Sequence, residues 1–312
     1  MSPSNTVNKF PGEVGSRGEE VKHLLPTGTR EYKYNGNIKY MEKIIPLERC
    51  AFLALVGDKS TSTTCSPFVG FSQVGNNRDI AKLAFSYDRI NQVLVLRMPS
   101  RPHELAISAF GGFVTEKLAR MGLNFFHLSN LMSTTVKTSQ REKDPDTSWQ
   151  PTKLPQKISS QWPTFVLEVG FSESQAQLER DVRWWLEESN GDVGIAITIG
   201  IERKTDKLLV GRWEMEASSR PTKRNSYRGS VPQLTETVCI RPTSASNVWE
   251  ADGTITLPSE KIFLRSPKPQ ESDLILTQKD DIDVDCPRIY GNRIVRSSRG
   301  WCDPVRHQGV MN

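Results

Sequence analysis

Residues 162–174 read WPTFVLEVGFSES. Trp162-Pro163 punctuates the start, and residues 164–169 then form an apolar, β-rich run of strand length. One residue breaks the run. Glu168 is charged, and period-two alternation places it on one strand face with Val166 and Gly170. A glutamate costs several kcal/mol to bury without a partner. From spacing alone two readings stay open: a partnered functional carboxylate, or a strand-end side chain facing solvent.

Downstream, Ser172 and Gln175 fit a capping box, and Leu178, Val182, Trp185 and Leu186 recur as one helix face that Asn190-Gly191 closes. Residues 193–201 and 208–213 read as two further strands separated by a charged turn over 202–207. Upstream, residues 83–87 and 92–98 form a hairpin around Asp88-Arg89-Ile90-Asn91. Ser100 then opens a helix with Pro102 in its first turn, where a missing N–H costs nothing. Ala106, Phe110, Phe113, Val114, Leu118 and Met121 make its apolar face, and Gly122 ends it. The order ββ-α-β-α-ββ predicts an α/β (α+β) domain of about 130 residues, a mixed central sheet flanked by helices. Residues 92–98, 164–169, 193–201 and 208–213 are expected to share that sheet, because their apolar patterns suit one core.

The rest of the chain is poorer in such patterns. Of 312 residues, 36% are hydrophobic, below a typical globular share, which predicts one core with polar flanks. Residues 1–45 carry no sustained period and read as a disordered N-terminal segment. Residues 46–265 form the single domain, with strand-like pieces at 235–240, 254–257 and 262–264 as a small C-terminal appendage. Residues 266–312 are first acidic and then basic, and read as a charged, disordered tail.

Function classes narrow accordingly. No apolar run is long enough to span a membrane and the N-terminus lacks a signal pattern, so an intracellular protein, cytoplasmic or nuclear, is expected. Five cysteines at wide spacings and four scattered histidines argue against a zinc site or a disulfide framework, and for reduced thiols. The net charge of +5 permits nucleic-acid binding without arguing for it. Neither a phosphate-binding Gly-rich loop nor a nucleophile elbow is present.

Lys143-Asp144-Pro145-Asp146 stands ahead of the Glu168 strand. Two carboxylates brought together, Asp146 and Glu168, would bind Mg²⁺ or Mn²⁺ through oxygen. Such a metal can activate water and stabilise charge on a phosphodiester. His103, Asp181 and the Trp184-Trp185 pair each admit a site role or ordinary packing and exposure. Arg220, Lys223, Arg224 and Arg228 interleave with Tyr227 in a Pro/Ser-rich loop that either tracks a phosphate backbone or merely connects.

HELAISAFGGFVTEKL (103–118), KDPDTSW (143–149), WPTFVLEVGFSES, LERDVRWWLEES (178–189) and Arg212-Trp213-Glu214 together resemble a family of uncharacterised fungal proteins. These are similar to PD-(D/E)XK nucleases, the restriction-endonuclease-like superfamily. The resemblance implies that Asp146 is the aspartate of the PD motif and Glu168 the acid of the (D/E)XK motif. Glu104 then matches an extra metal-holding acid in the first helix. It implies metal-dependent hydrolysis of DNA or RNA, weakened because the motif lysine is replaced by Gly170. Arg180 and Arg183 are the expected substitutes for that cation. The alternative is a catalytically inactive nuclease-like module that binds nucleic acid or a protein partner.

Overall fold

The computed structural model describes residues 29–33, 52–56, 84–97, 100–156, 158–171, 175–202, 205–217, 230–243 and 249–277. The expected disorder of residues 278–312 and of most of 1–45, and the basic loop around Tyr227, lie outside them. In chain order the elements are β1 (Arg30–Lys33), β2 (Phe52–Val56), β3 (Ala84–Asp88), β4 (Val93–Arg97), α1 (Arg101–Arg120), β5 (Leu128–Asn130), β6 (Val136–Lys137), β7 (Arg141–Lys143) and β8 (Thr147–Pro151). They continue with β9 (Phe165–Phe171), α2 (Gln175–Glu188), β10 (Ile195–Glu202), β11 (Lys207–Ala217), β12 (Ser230–Pro242), β13 (Trp249–Ala251), β14 (Ile255–Leu257), α3 (Ser259–Phe263) and β15 (Leu274–Leu276).

The fold is mixed α+β. Its centre is a seven-stranded sheet in the order β13-β12-β11-β10-β9-β8-β5. Strands β9 and β10 run parallel, while β8–β9, β10–β11 and β11–β12 are antiparallel. Helix α2 makes the crossover between the parallel pair, as a parallel connection requires. The alternation read in residues 164–169 decides the two faces. Phe165, Leu167 and Val169 join Phe110, Phe113, Val114 and Leu118 of α1 in one core, where Trp149 and Phe165 stack with centroids 4.3 Å apart. Val166 joins Val182, Trp185 and Leu186 of α2 in the other. Glu168 therefore points at α2.

Helix α1 ends as its sequence requires: Gly122 takes φ +71, a left-handed conformation that favours glycine. After α2, Asn190 and Gly191 do the same at φ +53 and +94.

Five expectations are corrected. Strands β3 and β4 do form the hairpin, but they belong to a second sheet, ordered β1-β2-β4-β3-β7-β6, and not to the central one. Period-two patterns report which face is apolar and not which strand is the neighbour. The small appendage is part of the main sheet, since β12 pairs with β11 from Leu208↔Ile240 to Ala217↔Ser230. Residues around Ile262 are helical in α3, with Ile262 and Phe263 packed into the core. The folded part also runs past residue 265: β15 pairs with β14, and Leu274 and Leu276 are buried against α1's core. Within the segment read as disordered, β1 pairs in parallel with β2 and Tyr32 is wholly buried. Strands of three or four residues are too short to show a period, and only tertiary contact gives their apolar side chains a burial partner.

Candidate functional site

The site forms where β8 begins. The last antiparallel pair between β8 and β9 is Thr147↔Leu167. Beyond it the chain turns away, and the N–H of Val169 donates instead to Asp146 Oδ2 at 2.6 Å. Asp146 is thus anchored to the strand that carries Glu168. The KDPD turn that brings it there also joins the sheets, because Asp144 N donates to Phe85 O of β3 at 3.0 Å.

Every carboxylate oxygen of Asp146 and Glu168 meets a donor. Glu168 Oε1 accepts from Lys143 Nζ and from Trp185 Nε1, both at 2.6 Å. Glu168 Oε2 lies 3.4 Å from Arg97 Nη1, and Asp146 Oδ1 accepts from the same nitrogen at 2.6 Å. His103 Nε2 stands 3.2 Å from Asp146 Oδ2. Lys143 Nζ also reaches Asp181 Oδ1 at 2.9 Å, with Arg141 Nη2 4.0 Å from that oxygen. Three carboxylates (Asp146, Glu168, Asp181) are thus interleaved with three cations (Arg97, Lys143, Arg141). The Glu168 side chain is 0% exposed and that of Lys143 2%.

The electrostatics follow from burial and these neighbours. Burial alone would raise the Asp146 carboxyl, but the charges of Arg97 and His103 and the bonds from His103 and Val169 hold it well below the ordinary carboxylate range. Asp181 is likewise lowered, since Lys143 and Arg141 outweigh its burial. Glu168 is raised: burial dominates, Asp146 and Asp181 add like charge, and Lys143 and Arg97 offset only part of this. Its partners are all donors, which suits the carboxylate form. Burial disfavours a charged His103 ring, yet the Asp146 carboxylate beside it lifts its pKa above 6.5.

Asp144 differs from these. Burial pushes it up to about 6, and its Oδ1 makes no hydrogen bond. A raised carboxyl binds its proton in the folded state where the unfolded chain has lost it. Stability contributed by Asp144 is therefore fully present below the ordinary carboxylate range and is lost as pH rises through about 6. Asp144→Asn is expected to raise the urea midpoint at pH 7.5 by more than at pH 4.5, and an equal shift at both would refute the assignment.

The residues expected from sequence divide into those brought together and those kept apart. Asp146 and Glu168 meet at one guanidinium. Glu104 reaches them only through a neighbour: its side chain is 58% exposed, with Oε1 3.0 Å from His103 Nδ1. Arg180 donates to Gln177, and Arg183 pairs with Glu179 and lies over the Trp213 ring. Both arginines line a cleft of about 360 Å³ onto which Asp181 and Arg141 also open. The cation beside Glu168 is instead Lys143, from the motif that supplies Asp146. The signal was in the sequence, since KDPD begins with that lysine. Arg97 had no such signal, because it arrives from the other sheet.

Gly170 has its own reason. A Cβ there would stand 2.8 Å from Leu178 Cδ1 of α2. The Leu178 side chain covers Gly170, so it must shift for any side chain added there. Gly170→Ala is expected to cost about 1–3 kcal/mol by overpacking, read from urea denaturation. Gly170→Lys should cost at least as much.

No family model matches this chain, and no curated protein matches it. Among solved structures, it is similar to a candidate nuclease belonging to DUF820 from Anabaena variabilis ATCC 29413. The identity is 13% and the TM-score 0.31, over 52% of this chain and 78% of that one. The superposition is loose and carries no functional argument. No helix among the described residues is long and apolar enough to cross a membrane.

Proposed function

We propose that the chain is a nuclease-like protein of the PD-(D/E)XK type, acting on phosphodiesters of DNA or RNA with Mg²⁺ or Mn²⁺ at Asp146 and Glu168. The observation that carries this reading is the buried convergence of Asp146, Glu168 and Lys143. Burying three ionisable side chains together is costly even when they are paired, and such clusters are found preferentially at functional sites. The resemblance to uncharacterised fungal relatives of these nucleases supports the same reading, and Lys143 answers the objection that Gly170 raised.

The donor set suits a hard cation. Among the described residues no three His, Cys, Asp or Glu side chains group as metal ligands. Magnesium, however, is commonly held by one or two carboxylates with water and substrate phosphate completing its shell. Asp146 Oδ1 and Glu168 Oε2 both face Arg97 Nη1, at 2.6 and 3.4 Å, so a positive charge already marks the point they share. A bound divalent ion would supply Lewis acidity and a more acidic water.

The chain's own residues then have defined tasks. Lys143 Nζ, fixed between Glu168 and Asp181, offsets negative charge that develops on the phosphate oxygens. Trp185 holds the Glu168 carboxylate in one orientation through its indole N–H. Hydrolysis places the oxygen of water on phosphorus as one P–O bond breaks, and a proton passes to the departing oxygen. One observation favours the inactive binding module as the second reading: the three carboxylates already have three cations beside them.

Calorimetry with Mn²⁺ on the wild type, Asp146→Asn and Glu168→Gln separates the two. Binding by the wild type that both variants lose, together with Mg²⁺-dependent cleavage of an oligonucleotide, is the expected result. Absent or identical binding in all three proteins would remove the nuclease reading and leave the binding module.

A further inference from the structure

We infer that Arg97 is a phosphate-binding residue of this site that the divalent ion must first displace, so that metal entry and substrate grip are coupled through one guanidinium. The inference rests on the nuclease reading and adds a residue and an order of events to it. Arg97 bridges the two motif acids, with Nη1 2.6 Å from Asp146 Oδ1 and 3.4 Å from Glu168 Oε2. Those two oxygens are the ones a shared metal would need, because Asp146 Oδ2 is held by Val169 N and Glu168 Oε1 by Lys143 and Trp185. A divalent ion held by them would bring a double positive charge beside the guanidinium, where like charges repel strongly in a partly desolvated site. The two cations cannot share the position.

The backbone limits where the displaced side chain can go. Arg97 pairs with Phe52 on one side and Ala84 on the other, so its Cα is fixed in the second sheet. Its side chain is 13% exposed while those of Asp146 and Glu168 are 1% and 0% exposed, so of the three it has the most access to solvent. A guanidinium that swings off the acids therefore stays at the mouth of the site. There a phosphodiester approaching the metal would meet a planar fork of donors suited to two phosphate oxygens. Lys143, 2% exposed and held by Glu168 and Asp181, acts through its charge alone and offers no fork of donors at the mouth.

Arg97→Gln and Arg97→Lys, in the full chain, test this by two readouts that should move in opposite directions. Mn²⁺ affinity by calorimetry is expected to rise on the order of tenfold in Arg97→Gln, a common size for such coupling. Affinity for a short oligonucleotide, measured with Ca²⁺ present, should fall by a similar factor. Arg97→Lys keeps the charge but not the fork, so it should bind Mn²⁺ much as the wild type does and still lose oligonucleotide affinity. Thermal denaturation confirms folding, and Arg97→Lys alone decides if the glutamine variant fails to fold. Wild-type Mn²⁺ binding that Arg97→Gln leaves equal or weakens would overturn the competition while sparing the nuclease reading. Unchanged oligonucleotide affinity in Arg97→Lys would overturn the phosphate role. No Mn²⁺ binding by the wild type or Arg97→Gln would remove both.

Discussion

Lys143→Met is expected to lower the unfolding free energy by about 3–5 kcal/mol, the usual cost of removing one partner from a buried ion pair. The lysine nitrogen lies 2.6 Å from Glu168, 2.9 Å from Asp181 and 5.3 Å from the centroid of the Trp185 ring. Methionine fills similar volume, so the loss is electrostatic and not a cavity. Two carboxylates would be left facing each other with reduced compensation, and Glu168 would take up a proton at a still higher pH. Lys143→Met with Glu168→Met should recover much of the loss, because a paired hydrophobic replacement avoids the unpaired charge. Urea denaturation of the two singles and the double gives the coupling energy directly. Additive losses would show that the pair does not interact as its geometry requires. In the nuclease reading the same lysine also contributes to rate, and its loss there would cost on the order of 10²–10³.

Trp185→Ala should be about as damaging, at about 3–5 kcal/mol for a large aromatic removed from a core. Trp185 is 0% exposed, stands edge-on to Trp162 and Trp184, and donates to Glu168 Oε1. Trp185→Phe separates the two contributions. It keeps most of the packing and removes the indole N–H, so a loss of about 1.5–3 kcal/mol would be the share of a hydrogen bond to a charged group. Mn²⁺ affinity measured alongside distinguishes a positioning residue from a packing one. If Trp185→Phe matches the wild type in both stability and metal binding, the indole N–H does not orient Glu168.

Much of this was legible in the sequence because it depends on local periodicity. Helix α1 carries its apolar residues at helical spacing between Pro102 and Gly122, and both ends follow from one or two residues. Strand β9 alternates cleanly, and that alternation alone put Glu168 and Gly170 on one face, the face that α2 covers. Asp146 and Glu168 were readable as a pair through a resemblance in motif order.

Tertiary structure alone decided which cations meet those acids. Lys143 was on the page inside KDPD, but a strand residue shows only its face. That Lys143 points under α2 to Glu168 depends on β7 and β9 lying in different sheets that meet at the KDPD turn. Arg97 is farther still, arriving from β4, which the sequence could place in a hairpin but not in a sheet. Strand pairing is non-local, and period two is silent about the neighbour. An ion pair also leaves no period at all, since one residue at each end suffices and the chain between them is unconstrained. The acids, the helices and the faces were therefore the sequence's own, whereas the charge balance around Asp146 and Glu168 came only from how the two sheets are joined.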